Sequence, residues 1–213
     1  ILRSGTKEQI ERFVPPPCDG RAIGCLGLTE PGAGSDALGS MTTRAVRDGD
    51  DFVVNGRKLY ITNGPVADYC LLYARTDPAR GNRGITAFVV DMKTPGVRVA
   101  QKLEKMGFRG SQTAELAFDD CRVPAANVLG KVDEGVKCIM SGLDLERAVI
   151  APICVGVAER ALDLSIAHAK ERVQFGEPIA NFQMIQSRLA EMSALVDTMR
   201  VYNYYCLSLM NDL

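Results

Sequence analysis

The chain has one histidine, no tryptophan, and no cysteines spaced as CxxC pairs. A single histidine excludes a His-based metal cluster and leaves little room for a histidine-centred catalytic triad. That residue, His168, lies on a helical stretch among Ala and Lys and reads as surface or satisfied core. The seven cysteines are scattered, which argues against a zinc site or a disulfide framework. They read as small buried apolar residues in a reducing compartment. An excess of one charge is also missing: 25 Lys and Arg face 26 Asp and Glu, for a net charge of −1. No broad attraction to nucleic acid or to an anionic membrane is expected from that balance. No apolar run is long enough to span a bilayer, and the first residues carry no signal-peptide pattern.

What is present is ordinary globular text, with 46% hydrophobic and 24% charged residues in 213. That length suits one large domain or two small ones. Three regions separate by period. Residues 1–20 read as a helix fragment, Ile1 to Phe13, followed by a Pro15-Pro16-Pro17 breaker. Residues 21–133 read as β: Met41–Arg47, Asp51–Val54, Lys58–Ile61, Tyr69–Arg75, Ile85–Asp91, Val97–Leu103 and Ala114–Phe118. Turn signals at Gly49-Asp50, Asn55-Gly56, Asn63-Gly64-Pro65 and Pro95-Gly96 separate them. Short strands at this spacing, without helical crossovers, predict an antiparallel sandwich or barrel, within an α+β chain.

From residue 134 to 213 the period becomes helical. One stretch runs to Arg172 with Pro152 as an expected kink. A stop at Phe175-Gly176-Glu177-Pro178 follows, then a second helix with Asn181 as N-cap. Its apolar positions Phe182, Ile185, Leu189, Met192, Val196 and Met199 fall near heptad spacing. Two such helices cannot bury both faces alone, so further helices or another subunit must complete the bundle. The chain begins in mid-pattern and stops within a helical one at Leu213, and it reads as a piece of a longer polypeptide.

Two segments carry the chemical signal. In Leu28-Thr-Glu-Pro-Gly-Ala-Gly-Ser-Asp36 a strand-like approach, Ile23 to Thr29, meets a turn. Its Gly32 and Gly34 are able to take positive φ and let backbone N–H groups approach a ligand. Lys58-Leu-Tyr-Ile-Thr-Asn-Gly64 ends a β run with an aromatic, a β-branched residue, a hydroxyl and an Asn-Gly turn. A flat, polar-edged heterocycle needs such a surface and such a rim. The glycines are not a dinucleotide fingerprint: Ala37 stands at the third glycine position and no βαβ unit surrounds it.

The two segments closely resemble the flavin-binding motifs of the acyl-CoA dehydrogenase family. Ordered matches continue through Arg83-Gly-Ile-Thr-Ala-Phe-Val89, Lys105-Met-Gly-Phe-Arg-Gly-Ser-Gln-Thr113, Leu116-Ala-Phe-Asp-Asp-Cys-Arg-Val-Pro124 and Asn127-Val-Leu-Gly130. Arg172-Val-Gln-Phe-Gly176, Pro178-Ile179 and Phe182-Gln183 match the family's C-terminal helical domain. The resemblance implies FAD lined by Leu26 to Ser35, with Leu28 and Gly34 among them, and by Tyr60, Ile61 and Thr62. It makes Thr29 and Thr62 the hydroxyl partners of the flavin edge and sets Tyr60 where many relatives use Trp. It implies that Arg172, Gln174 and Gln183 reach FAD in a neighbouring subunit, and that Ser35, Asn82 and Arg83 touch the CoA part of the substrate.

Dehydrogenation beside a thioester needs a base for the α-proton while the β-hydrogen leaves as hydride to the flavin. Ser141-Gly-Leu-Asp-Leu-Glu-Arg147 resembles the isovaleryl-CoA dehydrogenase branch, which carries its base in this helix. That makes Glu146 the expected base, in a closed apolar pocket that raises its pKa, with Asp144 and Arg147 near the acyl-CoA. Most relatives carry the base beyond the position of Leu213, so that alternative stays open. Lys137 stands where isovaleryl relatives tend to have Tyr.

The resemblance implies a short or branched acyl-CoA as substrate, an electron-transfer flavoprotein as acceptor, and a homo-oligomer built as a dimer of dimers. No nucleic acid, metal or membrane span is expected, and the implied compartment is a bacterial cytosol or a mitochondrial matrix. The alternatives are a flavin oxidase or monooxygenase of the same fold, or a truncated non-catalytic structural subunit.

Overall fold

The computed structural model describes residues 1–210, and the chain divides into two compact units, Ile1–Met140 and Ser141–Leu213. Residues 211–213, where the helical pattern reaches Leu213, lie outside the described residues.

In the first unit, α1 (Lys7–Phe13) starts at a capping box. Thr6 Oγ1 accepts from Gln9 N, and Gln9 Oε1 accepts from Thr6 N. The box satisfies two donors that a helix start leaves free, so the helix begins after Thr6 rather than at Ile1. Gln9 Nε2 donates to Ala126 O and Val128 O, both at 2.8 Å, and ties α1 to the unit's β region. α1 stops at Phe13, just before the three prolines, as a breaker requires, and the prolines then open a separate short helix, α2 (Pro15–Cys18). Their fixed φ suits a first helical turn, where a missing N–H costs nothing.

Eight strands follow: β1 (Gly24–Gly27), β2 (Arg44–Asp48), β3 (Asp51–Thr62), β4 (Tyr69–Arg75), β5 (Ile85–Asp91), β6 (Val97–Lys102), β7 (Thr113–Pro124) and β8 (Val128–Leu129). They form one sheet in the order β6-β7-β3-β2-β4-β5-β8, with β1 alongside β4. The sheet is mostly antiparallel, as expected, with two parallel pairings. β1 runs parallel to β4 from Gly24↔Tyr69 to Gly27↔Leu72, and β2 meets β4 in parallel at Arg44↔Arg75. Parallel pairing needs a crossover connection, and the long excursion through residues 28–68 supplies one without a helix.

The turn expected at Asn55-Gly56 is also absent, because β3 runs straight through it. The pair instead marks a register shift between Val54 and Gly56 against β7. Gly56 is small because a Cβ there would lie 2.7 Å from Thr43 Cα. The core lies on the inner faces of these strands. Phe52 and Phe88 meet edge to face at 5.2 Å, with Leu72, Leu116, Phe118 and Val123 around them. β5 is buried along Ile85–Val90, as a strand covered on both faces must be.

α3 (Gly135–Glu171) is one continuous helix with Pro152 inside it, and the boundary between the units falls within its length. In the second unit a hairpin joins β9 (Val173–Gln174) to β10 (Glu177–Pro178) through Phe175 and Gly176. Both hold positive φ, at 54° and 85°, as a type I′ turn requires. α4 (Gln183–Leu209) takes Phe182 as its N-cap. Asn181, the expected cap, instead donates from Nδ2 to Glu177 Oε2 at 2.8 Å. Arg200 bridges Glu159 of α3 and Asp197 of α4, at 2.7 and 2.8 Å. Leu145, Val149, Ile153 and Val157 of α3 and Val201, Tyr204 and Leu209 of α4 stay exposed. The two helices leave apolar faces open, as their pattern predicts. Among the described residues no helix is long and apolar enough to cross a membrane.

Candidate functional site

The two motif segments lie side by side where β1 and β3 end. Leu59 N donates to Thr29 O at 2.8 Å, and Asn63 Nδ2 reaches Gly24 O at 3.4 Å. Within the first, Pro31-Gly32 form a tight reversal, with Glu30 and Ala33 exchanging both backbone hydrogen bonds. Neither Gly32 nor Gly34 uses positive φ, which corrects the expectation drawn from their residue type. Their smallness acts differently: a Cβ on either would meet no protein atom within 4 Å, so both face open space.

A bulge then decides which side chains face outward. Pairing of β3 with β7 slips between Lys58 and Ile61, adding one residue to β3. Lys58 points in, the bulge carries Leu59 and Tyr60, and Ile61 returns to the core at 2% exposure. The Ile61 side chain is therefore part of the core cluster that also holds Leu72 and Leu116. Tyr60 and Thr62 are both exposed as a result. Tyr60 reaches this position at φ 61°, a left-handed backbone rare for an aromatic residue. Leu26 on β1 is exposed, Leu28 and Thr29 are half-buried, and Ser35 is exposed.

Beneath this surface is an ion pair that no sequence motif marks. Lys58 Nζ lies 2.9 Å from Glu30 Oε1, and their side chains are 0% and 2% exposed. Glu30 also accepts from Thr42 N, Thr42 Oγ1 and Thr43 N at 2.7, 2.5 and 3.0 Å. Lys58 donates to Leu28 O at 3.0 Å as well. Burial pushes the Glu30 carboxyl up, but Lys58 and the Thr42 and Thr43 donors outweigh it and hold the group at about 2. Burial draws Lys58 down from its ordinary range, and the Glu30 carboxylate opposes that fall. The available signal was a carboxylate and an ammonium, one inside each motif segment.

The loop after the turn is held by Arg75. Its guanidinium donates to Met41 O, Gly81 O, Leu38 O and Gly39 O at 2.7–3.1 Å. Asp36 accepts from Ser40 Oγ at 2.5 Å, and a Cβ on Gly39 would collide with its carboxylate. Asn82 and Arg83 lie exposed on the 3-10 segment Pro78–Gly84, whose Gly81 carbonyl Arg75 grips. Arg75 thus ties residues 38–41 to Gly81, the residue before Asn82, though no sequence motif singles it out.

In the second unit, Glu146 is exposed on α3, and Asp144 pairs with Arg147 at 3.2 Å, both also exposed. The residues of that unit therefore do not enclose Glu146 in the expected apolar pocket. Lys137, on the first turn of α3, pairs with Glu134 at 2.8 Å. Arg172 and Gln174 are exposed at the β9–β10 hairpin and Gln183 opens α4. Ile179 N donates to Arg172 O at 2.8 Å, and Phe175 meets Phe182 edge to face at 6.1 Å. The hairpin therefore gathers the three polar residues onto one end of the unit.

The outward residues of the first unit suit a flavin. Leu26 and Tyr60 give apolar area, Thr29, Ser35 and Thr62 give hydroxyls, and the space beside Gly32 and Gly34 admits close backbone approach. The comparisons with known proteins agree with this chemistry. The acyl-CoA dehydrogenase middle domain matches residues 25–121, and the acyl-CoA dehydrogenase C-terminal domain matches residues 133–213. A mitochondrial isovaleryl-CoA dehydrogenase of Solanum tuberosum is 45% identical over 96% of this chain and 49% of its own. A subunit of the caffeyl-CoA reductase-Etf complex of Acetobacterium woodii is 44% identical over 100% of this chain and 56% of its own. The solved butyryl-CoA dehydrogenase of Megasphaera elsdenii superposes with a TM-score of 0.93 at 43% identity, over 96% of this chain and 54% of its own. The chain spans about half the length of these relatives. It belongs to the acyl-CoA dehydrogenase family, covering the middle domain and part of the C-terminal domain.

Proposed function

We propose that the whole protein is an FAD-dependent dehydrogenase converting a short or branched acyl-CoA to its 2-enoyl-CoA. The observation that carries this reading is the junction of the two motif segments, which turns Tyr60 and Thr62 outward beside Thr29. When bound, FAD supplies a hydride acceptor. Leu26 and Tyr60 cover the ring, and the Thr29 and Thr62 hydroxyls bind its polar rim. Ser35, Asn82 and Arg83 bind the CoA portion. Glu146 removes the α-proton of the thioester, and Asp144 and Arg147 lie near the acyl-CoA. Because Glu146 is exposed on its own unit, its role requires the remainder of the polypeptide or a neighbouring subunit to enclose it.

The proposed acceptor is an electron-transfer flavoprotein, a reading supported by the Acetobacterium woodii relative named as part of an Etf complex. A dimer of dimers, with Arg172, Gln174 and Gln183 reaching a neighbouring subunit's FAD, completes the proposal. The compartment would be a mitochondrial matrix or a bacterial cytosol.

The test uses full-length protein carrying FAD, mixed anaerobically with short and branched acyl-CoA thioesters. Bleaching of the flavin absorbance is expected, and Glu146→Gln should slow it by roughly 10²–10⁴-fold. Near-normal bleaching by Glu146→Gln would remove that residue as the base. Absence of bleaching by any thioester would remove the dehydrogenase reading. Oxygen uptake without another acceptor would favour an oxidase.

A further inference from the structure

Lys58 and Glu30 sit where three stretches of chain converge. Lys58 comes from β3, Glu30 from the motif turn, and Thr42 and Thr43 from the approach to β2. Lys58 Nζ holds Leu28 O and the Glu30 carboxylate, the two groups on either side of Thr29. The next residue, Leu59, donates to the carbonyl of Thr29 itself. One residue further, Tyr60 takes its left-handed conformation. A single buried cation therefore fixes both halves of the surface that the flavin reading uses.

Stability alone does not account for such a pair. A buried ion pair is commonly matched or bettered by well-packed apolar residues of similar volume, because desolvation offsets the attraction between the charges. The surroundings are partly apolar, with Cys70, Leu72 and the Lys58 stem all close to Gly27. What apolar side chains lack is direction: they would fill the space without dictating the angle of the turn to the bulge. Two acceptors on Lys58 and four donors on Glu30 do dictate it.

We propose that Glu30 and Lys58 are positioning residues for the cofactor, setting the angle at which Thr29 and Tyr60 meet the flavin. This rests on the flavin reading above and adds to it the element that preorganises the binding edge.

The test separates positioning from folding in the full-length protein with three variants: Lys58→Met, Glu30→Gln and the double variant. Tm and the FAD dissociation constant, followed by flavin fluorescence, are measured for each, together with the bound flavin absorption spectrum. Each single variant strands a buried charge, so both should lower Tm and weaken FAD binding. The double variant removes both charges and should recover most of the lost Tm. Its FAD dissociation constant should remain about tenfold or more above that of the unchanged protein, with a shifted flavin spectrum. If FAD affinity and spectrum recover in step with Tm, the pair is structural only and the proposal fails. If the unchanged full-length protein binds no FAD, the flavin reading itself fails, a result visible before any variant is made.

Discussion

The two units of this chain solve burial in opposite ways. The first encloses Phe52, Phe88, Leu116 and Phe118 in a sheet, and even a lysine and a glutamate lie fully inside with their partners. The second exposes Ile153, Val157, Val201 and Tyr204 along two helices, and its ion pairs lie at the surface. The contrast teaches where each part obtains its stability. The sheet unit carries its own core, whereas the helices leave apolar area exposed. It also locates precision: buried hydrogen bonds set geometry in the first unit, and surface pairs set little in the second.

Deleting one charge in each unit gives the widest separation. Lys58→Met should cost about 3–5 kcal/mol, because it leaves a carboxylate buried without its cation. Arg200→Met, which breaks two exposed pairs, should cost about 1 kcal/mol or less. Urea unfolding of the full-length variants checks both, and equal costs would erase the contrast.

Acid sharpens it further. Glu30 is held at about 2, below the ordinary 4.5. A depressed carboxyl contributes stability that is complete above 4.5 and is lost as the pH falls toward 2. On the order of 3 kcal/mol should disappear across that window, and Glu30→Gln should flatten this part of the curve when Tm is followed against pH.

Tyr60 offers an effect of opposite sign. Replacing it by Gly relieves a left-handed backbone, worth about 1 kcal/mol. Thermal unfolding should therefore show a small rise while FAD titration shows weaker binding, the pattern of strain retained at a functional position. A fall in both would make Tyr60 an ordinary packing residue.

The smallest change concerns Gly34→Ala. Stability should stay within about 0.5 kcal/mol, since the added methyl meets no protein atom within 4 Å. FAD affinity should drop if that space belongs to the ligand, as isothermal titration would record.

The sequence carried the architecture unevenly, for physical reasons. β4 and β5 were legible to the residue, because Tyr69–Arg75 and Ile85–Asp91 are short apolar runs between turn signals. β3 reads as two pieces because Asn55-Gly56 looks like a turn, whereas tertiary pairing with β7 absorbs it as an irregularity. The parallel partners of β4 were invisible, since direction is set by long-range connection and leaves no periodic trace. At the site, the outward placement of Tyr60 and Thr62 and the inward return of Ile61 depend on one bulge. A period-two reading cannot anticipate it, because an extra residue inverts every face that follows. Glu30 and Lys58 escaped notice for a related reason: a charged residue in a motif reads as solvent-facing until its partner, 28 positions away, is brought beside it.

Hydrogen–deuterium exchange of the full-length protein with and without FAD tests the central claim most directly. The account predicts that FAD protects the backbone of residues 26–35 and 59–64 most strongly in the sheet unit, with residues 172–183 following in the helical one. Protection centred elsewhere in the sheet unit, with residues 26–35 and 59–64 unchanged, would contradict it.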